Sequence, residues 1–230
     1  MALSERAKRY LSKAEFKESI VDENVIMSAF EKQSVEASLE LLQFQRNYGG
    51  FTYYAGLEPI TYGMLHKGKS RGDFSGNPCK LLIELADGDI KDTHYVCADT
   101  LHQMTFAITE NGNYYEDYDI QCLSFDTQFE SFSMYDFLRQ QKGYNKVYTY
   151  EETDTSDTME QFNEIIKTFS NKFKLFQKEF HLTAVDGHWD ELQSWYVLKD
   201  DTFIFKRSIG LDVFSKQSKH DSTHWEKMFT

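Results

Sequence analysis

Three groups of residues have types and spacings that could do chemistry. The first is Gly63-Met64-Leu65-His66-Lys67-Gly68-Lys69-Ser70, which fits the phosphate-loop spacing of Gly, four residues, then Gly-Lys-Ser. Such a loop works when a buried strand leads in and a helix leads out, so that backbone amides and the helix N-terminus face the phosphates. Here the exit is Arg71-Gly72-Asp73-Phe74-Ser75-Gly76-Asn77-Pro78, and its breakers do not permit a helix. The second group is His94 and Cys97, in H-x2-C spacing, with Cys122 able to approach across a sheet. A structural zinc site takes four ligands with paired short spacings. A second pair is missing, and buried thiols in strands are ordinary. His220 and His224 are spaced i, i+4 but fall in a polar tail. No metal or other cofactor is expected.

The third group is carboxylate. Glu116, Asp117 and Asp119 could supply an acid–base pair, but such pairs need a pocket that drives their pKa values apart. A hairpin return strand crowded with acids more often presents a solvated face. No Gly-x-Ser-x-Gly elbow and no nucleophile–base–orienter set is visible, so no catalytic residue is expected. The acids are part of a larger pattern. From Glu84 to Asp157 there are sixteen Asp and Glu against four Lys and Arg, which accounts for the whole net charge of −12. A block of this kind opposes nucleic-acid binding and favours encounter with basic partners. Its bland reading is a solvated set of strand faces that keeps sheet edges from pairing. The Lys67, Lys69, Arg71 and Lys80 group is one local basic patch on an acidic chain.

These residues need elements to position them. The 230 residues are 40% hydrophobic and 16% aromatic, with nineteen Phe and fourteen Tyr, a globular composition. Cys79, Cys97 and Cys122 are odd in number and lack CxxC spacing, which fits a reducing compartment. No apolar run approaches the ~20 residues of a membrane span. The polar stretch from Met1 to Tyr10 has no apolar signal core, so a cytoplasmic protein is expected.

Apolar periodicity predicts helices over Ser4–Ile20, over Asn24–Lys32, and from Ser34 to a stop at Gly49-Gly50. Strands are expected at Phe51–Tyr54, Ile60–Leu65, Leu81–Ala86 and His94–Ala98. Met104 to Thr109 alternates and leads into Asn111-Gly112, a strong hairpin signal. A two-residue loop there sets Asp117 opposite Phe106; a three-residue loop sets Tyr114 and Tyr118 on the apolar side, and is preferred. Ile120–Phe125 adds a strand. A capping-box-like Ser133-Met134-Tyr135-Asp136 predicts a helix start. Thr149–Asp157 reads as a linker before a long helix capped by Asp157. The stripe Phe162, Ile165, Ile166, Phe169, Phe173, Phe176 and Phe180 of that helix is read as core. A hairpin, Ser194–Leu198 with Thr202–Lys206, follows, and a polar tail from Asp221 closes the chain.

The order of several short motifs resembles the SUKH superfamily. They are Phe30-Glu31, Asn47-Tyr48-Gly49-Gly50-Phe51, Ile60-Thr61-Tyr62-Gly63, Gly112-Asn113-Tyr114-Tyr115, and Phe129 through Leu138. That superfamily groups immunity proteins of polymorphic toxin systems with fungal regulators of cell-wall glucan synthesis, and the resemblance covers Asp22 to Gly143. It implies an α+β fold, a mostly antiparallel sheet packed with helices, and no catalysis. It also implies a cognate toxin partner, often a nuclease, with a regulatory or scaffold module as the alternative. The expected layout is an N-terminal helix (1–21), a SUKH-like domain (22–148) and a C-terminal helix-plus-hairpin extension (149–230). The expected partner-binding residues are Glu116, Asp117, Asp119, Asp126 and Glu130, with neither nucleic acid nor membrane as a direct partner.

Overall fold

The computed structural model describes residues 3–54, 58–66, 81, 83–85, 93–101, 104–141, 143–156, 158–198 and 202–216. The fold is α+β. Five helices and fourteen strands are seen among the described residues, and every strand pairing is antiparallel. The chain forms two compact units. A central unit comprises Arg9–Phe125, and a terminal unit comprises Met1–Lys8 together with Asp126–Thr230. Helix α1 (Glu5–Leu11) spans the first junction. The sequence placed boundaries at 21/22 and 148/149. The stretch 22–148 crosses the observed boundary, and Phe129–Leu138 belongs to the terminal unit.

The central unit holds, in order, β1 (Glu15–Phe16), α2 (Glu23–Glu31), α3 (Leu39–Tyr48), β2 (Phe51–Tyr54), β3 (Pro59–Tyr62), β4 (Ile83–Leu85), β5 (Thr93–Val96), β6 (Ala98–Asp99), β7 (Phe106–Ile108), β8 (Tyr114–Glu116) and β9 (Asp119–Cys122). They form one sheet in the order β1-β2-β3-β6 and another in the order β4-β5-β7-β8-β9. The first helix is shorter than expected, because the chain from Glu15 pairs with β2 instead, and Lys17 N donates to Gly50 O at 2.8 Å. Asp22 Oδ1 caps α2 by accepting from Asn24 N and Val25 N. The third helix starts at Ser38, whose Oγ accepts from Leu41 N. It does not start at Ser34, which sits at φ 58 in a turn closed by Ser34 N on Glu31 O. An aromatic cluster fills the core, with Phe125 within 4.8 Å (ring centroids) of Phe44, Tyr48 and Tyr62 and 5.3 Å of Tyr114.

The terminal unit adds α4 (Phe125–Gln140), β10 (Asn145–Glu151), α5 (Met159–Glu179), β11 (Thr183–Ala184), β12 (Ser194–Leu198), β13 (Thr202–Lys206) and β14 (Gly210–Ser215). The sheet order is β10-β14-β13-β12-β11. The hairpin β12–β13 has the predicted limits, with Trp195 opposite Phe205. Alternation along these strands feeds two cores. Ile204, Leu211 and Val213 pack with Phe169, Phe173 and Phe176 of α5, whereas Trp195 and Phe205 pack with Met134 and Leu138 of α4. The long-helix stripe from Phe169 to Phe180 is therefore core, as read from its period, while Phe162 and Ile165 are half-buried.

Three expectations fail here. The strand-to-helix change comes at Phe125, so Ser133 lies mid-helix and its Oγ donates to the Glu130 carbonyl rather than capping a helix. Thr149, Tyr150 and Glu151 are not linker; they pair with Asp212, Leu211 and Gly210 of β14, a strand the sequence reading missed. The N-cap of α5 is Thr158, whose Oγ1 accepts from Gln161 N, while Asp157 lies outside the described residues.

Candidate functional site

Three of the five expected contact residues, Glu116, Asp117 and Asp119, sit on the β7–β8–β9 meander of the central unit. The first hairpin takes the three-residue loop, pairing Ile108 with Tyr114 and Phe106 with Glu116. Thr109 N donates to Asn113 O, and Gly112 supplies the left-handed residue at φ 85 that this loop requires. In this register Glu116 shares a cross-strand position with buried Phe106. Its carboxylate is half-buried and accepts from Tyr114 Oη at 3.0 Å, and Tyr114 Oη lies 3.1 Å from Tyr62 Oη. Burial pushes the Glu116 carboxyl above the usual range, against the pull of the Tyr114 hydrogen bond. Both tyrosine hydroxyls are raised well above theirs, chiefly by burial. Glu116 is thus one end of an internal polar chain rather than the outward charge expected of it.

Glu116 also pairs with Asp119 across a second, two-residue turn. Both turn residues have positive φ, 48 for Asp117 and 72 for Tyr118. That is the backbone of a primed hairpin turn, usually written Asn-Gly. The turn is fastened to β7, because Asp117 N donates to Thr105 O at 2.8 Å and Asp117 Oδ1 accepts from Thr105 N at 2.7 Å. Asp117 and Asp119 are exposed. Tyr118 is 48% exposed, and its ring stacks with that of His94 at 5.8 Å between centroids. The His94 ring also lies 4.4 Å from that of Tyr115, tilted by 38°. The sequence reading missed this turn. Asp117 was the signal, since Asp tolerates the left-handed conformation better than most residues.

The other two expected contact residues belong to the terminal unit. Asp126 is half-buried in the first turn of α4, where a carboxylate is favoured by the helix dipole. Glu130 is a correction. It is fully buried, accepting from Ser4 N at 2.6 Å, Ser4 Oγ at 2.7 Å and Arg6 Nη2 at 2.8 Å, so it cannot be a docking residue. The acid block is also partly neutralised by cations from outside it. Glu151 is paired with Arg207, and Glu152 with Lys172, each at 3.7 Å. Charge is therefore uneven between the units. The central unit has eighteen Asp and Glu against ten Lys and Arg, and so carries eight of the twelve excess negative charges.

Comparison with family models, curated proteins and solved structures finds no match. The chemistry rests on geometry alone. At the phosphate-loop spacing, Gly63 N donates to Cys97 O, while Met64 N and Leu65 N donate to Gln45 Oε1. The first three amides of that spacing are thus engaged within the protein. Positions 67–80, with the Lys67, Lys69, Arg71 and Lys80 patch and Cys79, lie outside the described residues, as do His220 and His224. Cys97 and Cys122 are buried thiols, and burial pushes Cys97 up, away from thiolate reactivity. Among the described residues, no three His, Cys, Asp or Glu side chains converge to hold a metal ion, and no helix is long and apolar enough to cross a membrane.

Proposed function

We propose that this is a non-catalytic binding protein of the cytoplasm whose central unit docks a basic protein at the Asp117–Asp119 turn. The observation that carries the reading is the pairing of two exposed carboxylates on a fastened turn with an eight-charge surplus in the same unit. Carboxylates held this way form charge-assisted hydrogen bonds with Lys and Arg groups and raise encounter rates. The resemblance to SUKH immunity proteins supplies the partner class: a cognate toxin domain, a basic nuclease in this reading. Neutralisation is then competition, the protein's carboxylates occupying the cations that otherwise hold phosphate.

The test is association kinetics with a basic nuclease toxin domain, the partner class this reading names. Reversing Asp117→Lys and Asp119→Lys together should slow association by ~10-fold or more at low salt, with the gap closing near ~0.5 M salt. Association that ignores both the reversal and the salt would overturn the reading.

A further inference from the structure

The turn that carries the two carboxylates holds its aromatic residue under strain. The preceding hairpin meets its need for positive φ with Gly112, yet here a tyrosine takes φ 72. That conformation disfavours any residue with a Cβ, and a bulky residue kept there points to a use for its side chain. Tyr118 is not serving as core, because 48% of it is exposed. Nor is its ring loose, since it stacks with buried His94 at an interplanar angle of 22°. A half-exposed aromatic ring, held against His94, is thus flanked along the chain by exposed Asp117 and Asp119.

Resting on the reading that this turn meets a basic protein, the geometry points to arginine, rather than lysine, as the side chain it receives. A guanidinium is planar and weakly hydrated. It stacks flat on an aromatic face while its in-plane edge donates to carboxylates, whereas an ammonium is a compact, strongly hydrated charge that gives up more hydration to sit on the ring. Tyr118 supplies the face, and Asp117 and Asp119 supply the acceptors. The charge surplus of the unit draws in either cation; the ring discriminates between them.

The test uses the full chain and two peptides of equal charge, deca-arginine and deca-lysine, with binding read by fluorescence anisotropy at ~50 mM salt. Wild type should prefer deca-arginine by about two- to five-fold. Tyr118→Gly suits the left-handed backbone, so it should keep the fold and bring that ratio to about one. Tyr118→Asn, which also tolerates positive φ, serves if the glycine variant does not fold. Equal affinities in wild type, or a preference that survives loss of the ring, would overturn the arginine inference and leave the acidic-face reading standing. Asp117→Asn with Asp119→Asn should weaken both peptides. If it weakens neither, the acidic-face reading falls and takes this inference with it.

Discussion

Lys206 shows how one residue records its burial. It lies on the α5 side of β13, 4% exposed, with Nζ donating to the Glu191 carbonyl and set 5.9 Å from the Phe169 ring centre. Burial lowers its pKa to about 8; Asp190 and Glu191 work against that shift, and Lys174 adds to it. Between pH 8 and the ordinary lysine range near ~10.4, the unfolded chain holds a proton that the folded one has released. Stability from this group therefore rises with pH across that window, by up to about 3 kcal/mol. Buried Cys97 acts in the opposite sense, since its folded thiol keeps a proton that an unfolded thiol loses. Comparison with Lys206→Met cancels the thiol, which both proteins share. The expected outcome is a urea midpoint that gains on the variant's from pH 8 to pH 9.5. A constant difference would mean that Lys206 titrates as an ordinary surface lysine.

At the scale of elements, two glycines with nearly the same φ carry different consequences. Gly112 (φ 85) closes the β7–β8 loop, and an added Cβ would meet the Glu40 side chain at 3.4 Å, an ordinary contact. Gly50 (φ 88) ends α3, and an added Cβ would lie 2.1 Å from the Lys17 carbonyl oxygen. Gly112→Ala should cost about 1 kcal/mol in backbone strain alone. Gly50→Ala must also move a backbone that is paired through Lys17 N to Gly50 O, and should cost more than ~3 kcal/mol. Denaturant titration of the two variants checks the order. Both glycines were legible in the sequence as stops and turns, because the need for positive φ is local. The α5 stripe and the β12–β13 hairpin were legible for the same reason: period and turn spacing lie within a few residues. What was not legible depended on distant partners. β14 is a strand because β10 and β13 flank it. The three-residue loop preferred from the sequence is the one found and sets Glu116 on the inner face with Tyr114; what was not legible is the buried Tyr62 hydroxyl that Tyr114 meets there, 52 residues earlier.

For the whole molecule, the decisive contact joins the two ends of the chain's longest excursion. The terminal unit is assembled from Met1–Lys8 and Asp126–Thr230, with the central unit lying between them in sequence. Its first described residues are fixed by one buried carboxylate: Glu130 takes Ser4 N, Ser4 Oγ and Arg6 Nη2. Arg6 also donates to Ser133 Oγ and the Asp186 carbonyl, and lies 5.8 Å from the Trp189 ring centre. Nothing local to Phe129-Glu130-Ser131 announces this, because the cation stands 124 residues away; the same carboxylate read in sequence looked like one more surface acid. A buried ion pair is expensive to break from one side, about 3–5 kcal/mol, because the survivor is left without a counter-charge. Arg6→Met should therefore destabilise the terminal unit by roughly that amount. Glu130→Gln alone should also destabilise it, by stranding Arg6. The double variant Arg6→Met with Glu130→Gln should recover part of the loss, since no uncompensated charge remains in the interior. Chemical denaturation of the four proteins closes the cycle. Simple additivity of the two single losses would mean that Arg6 and Glu130 do not act as a pair.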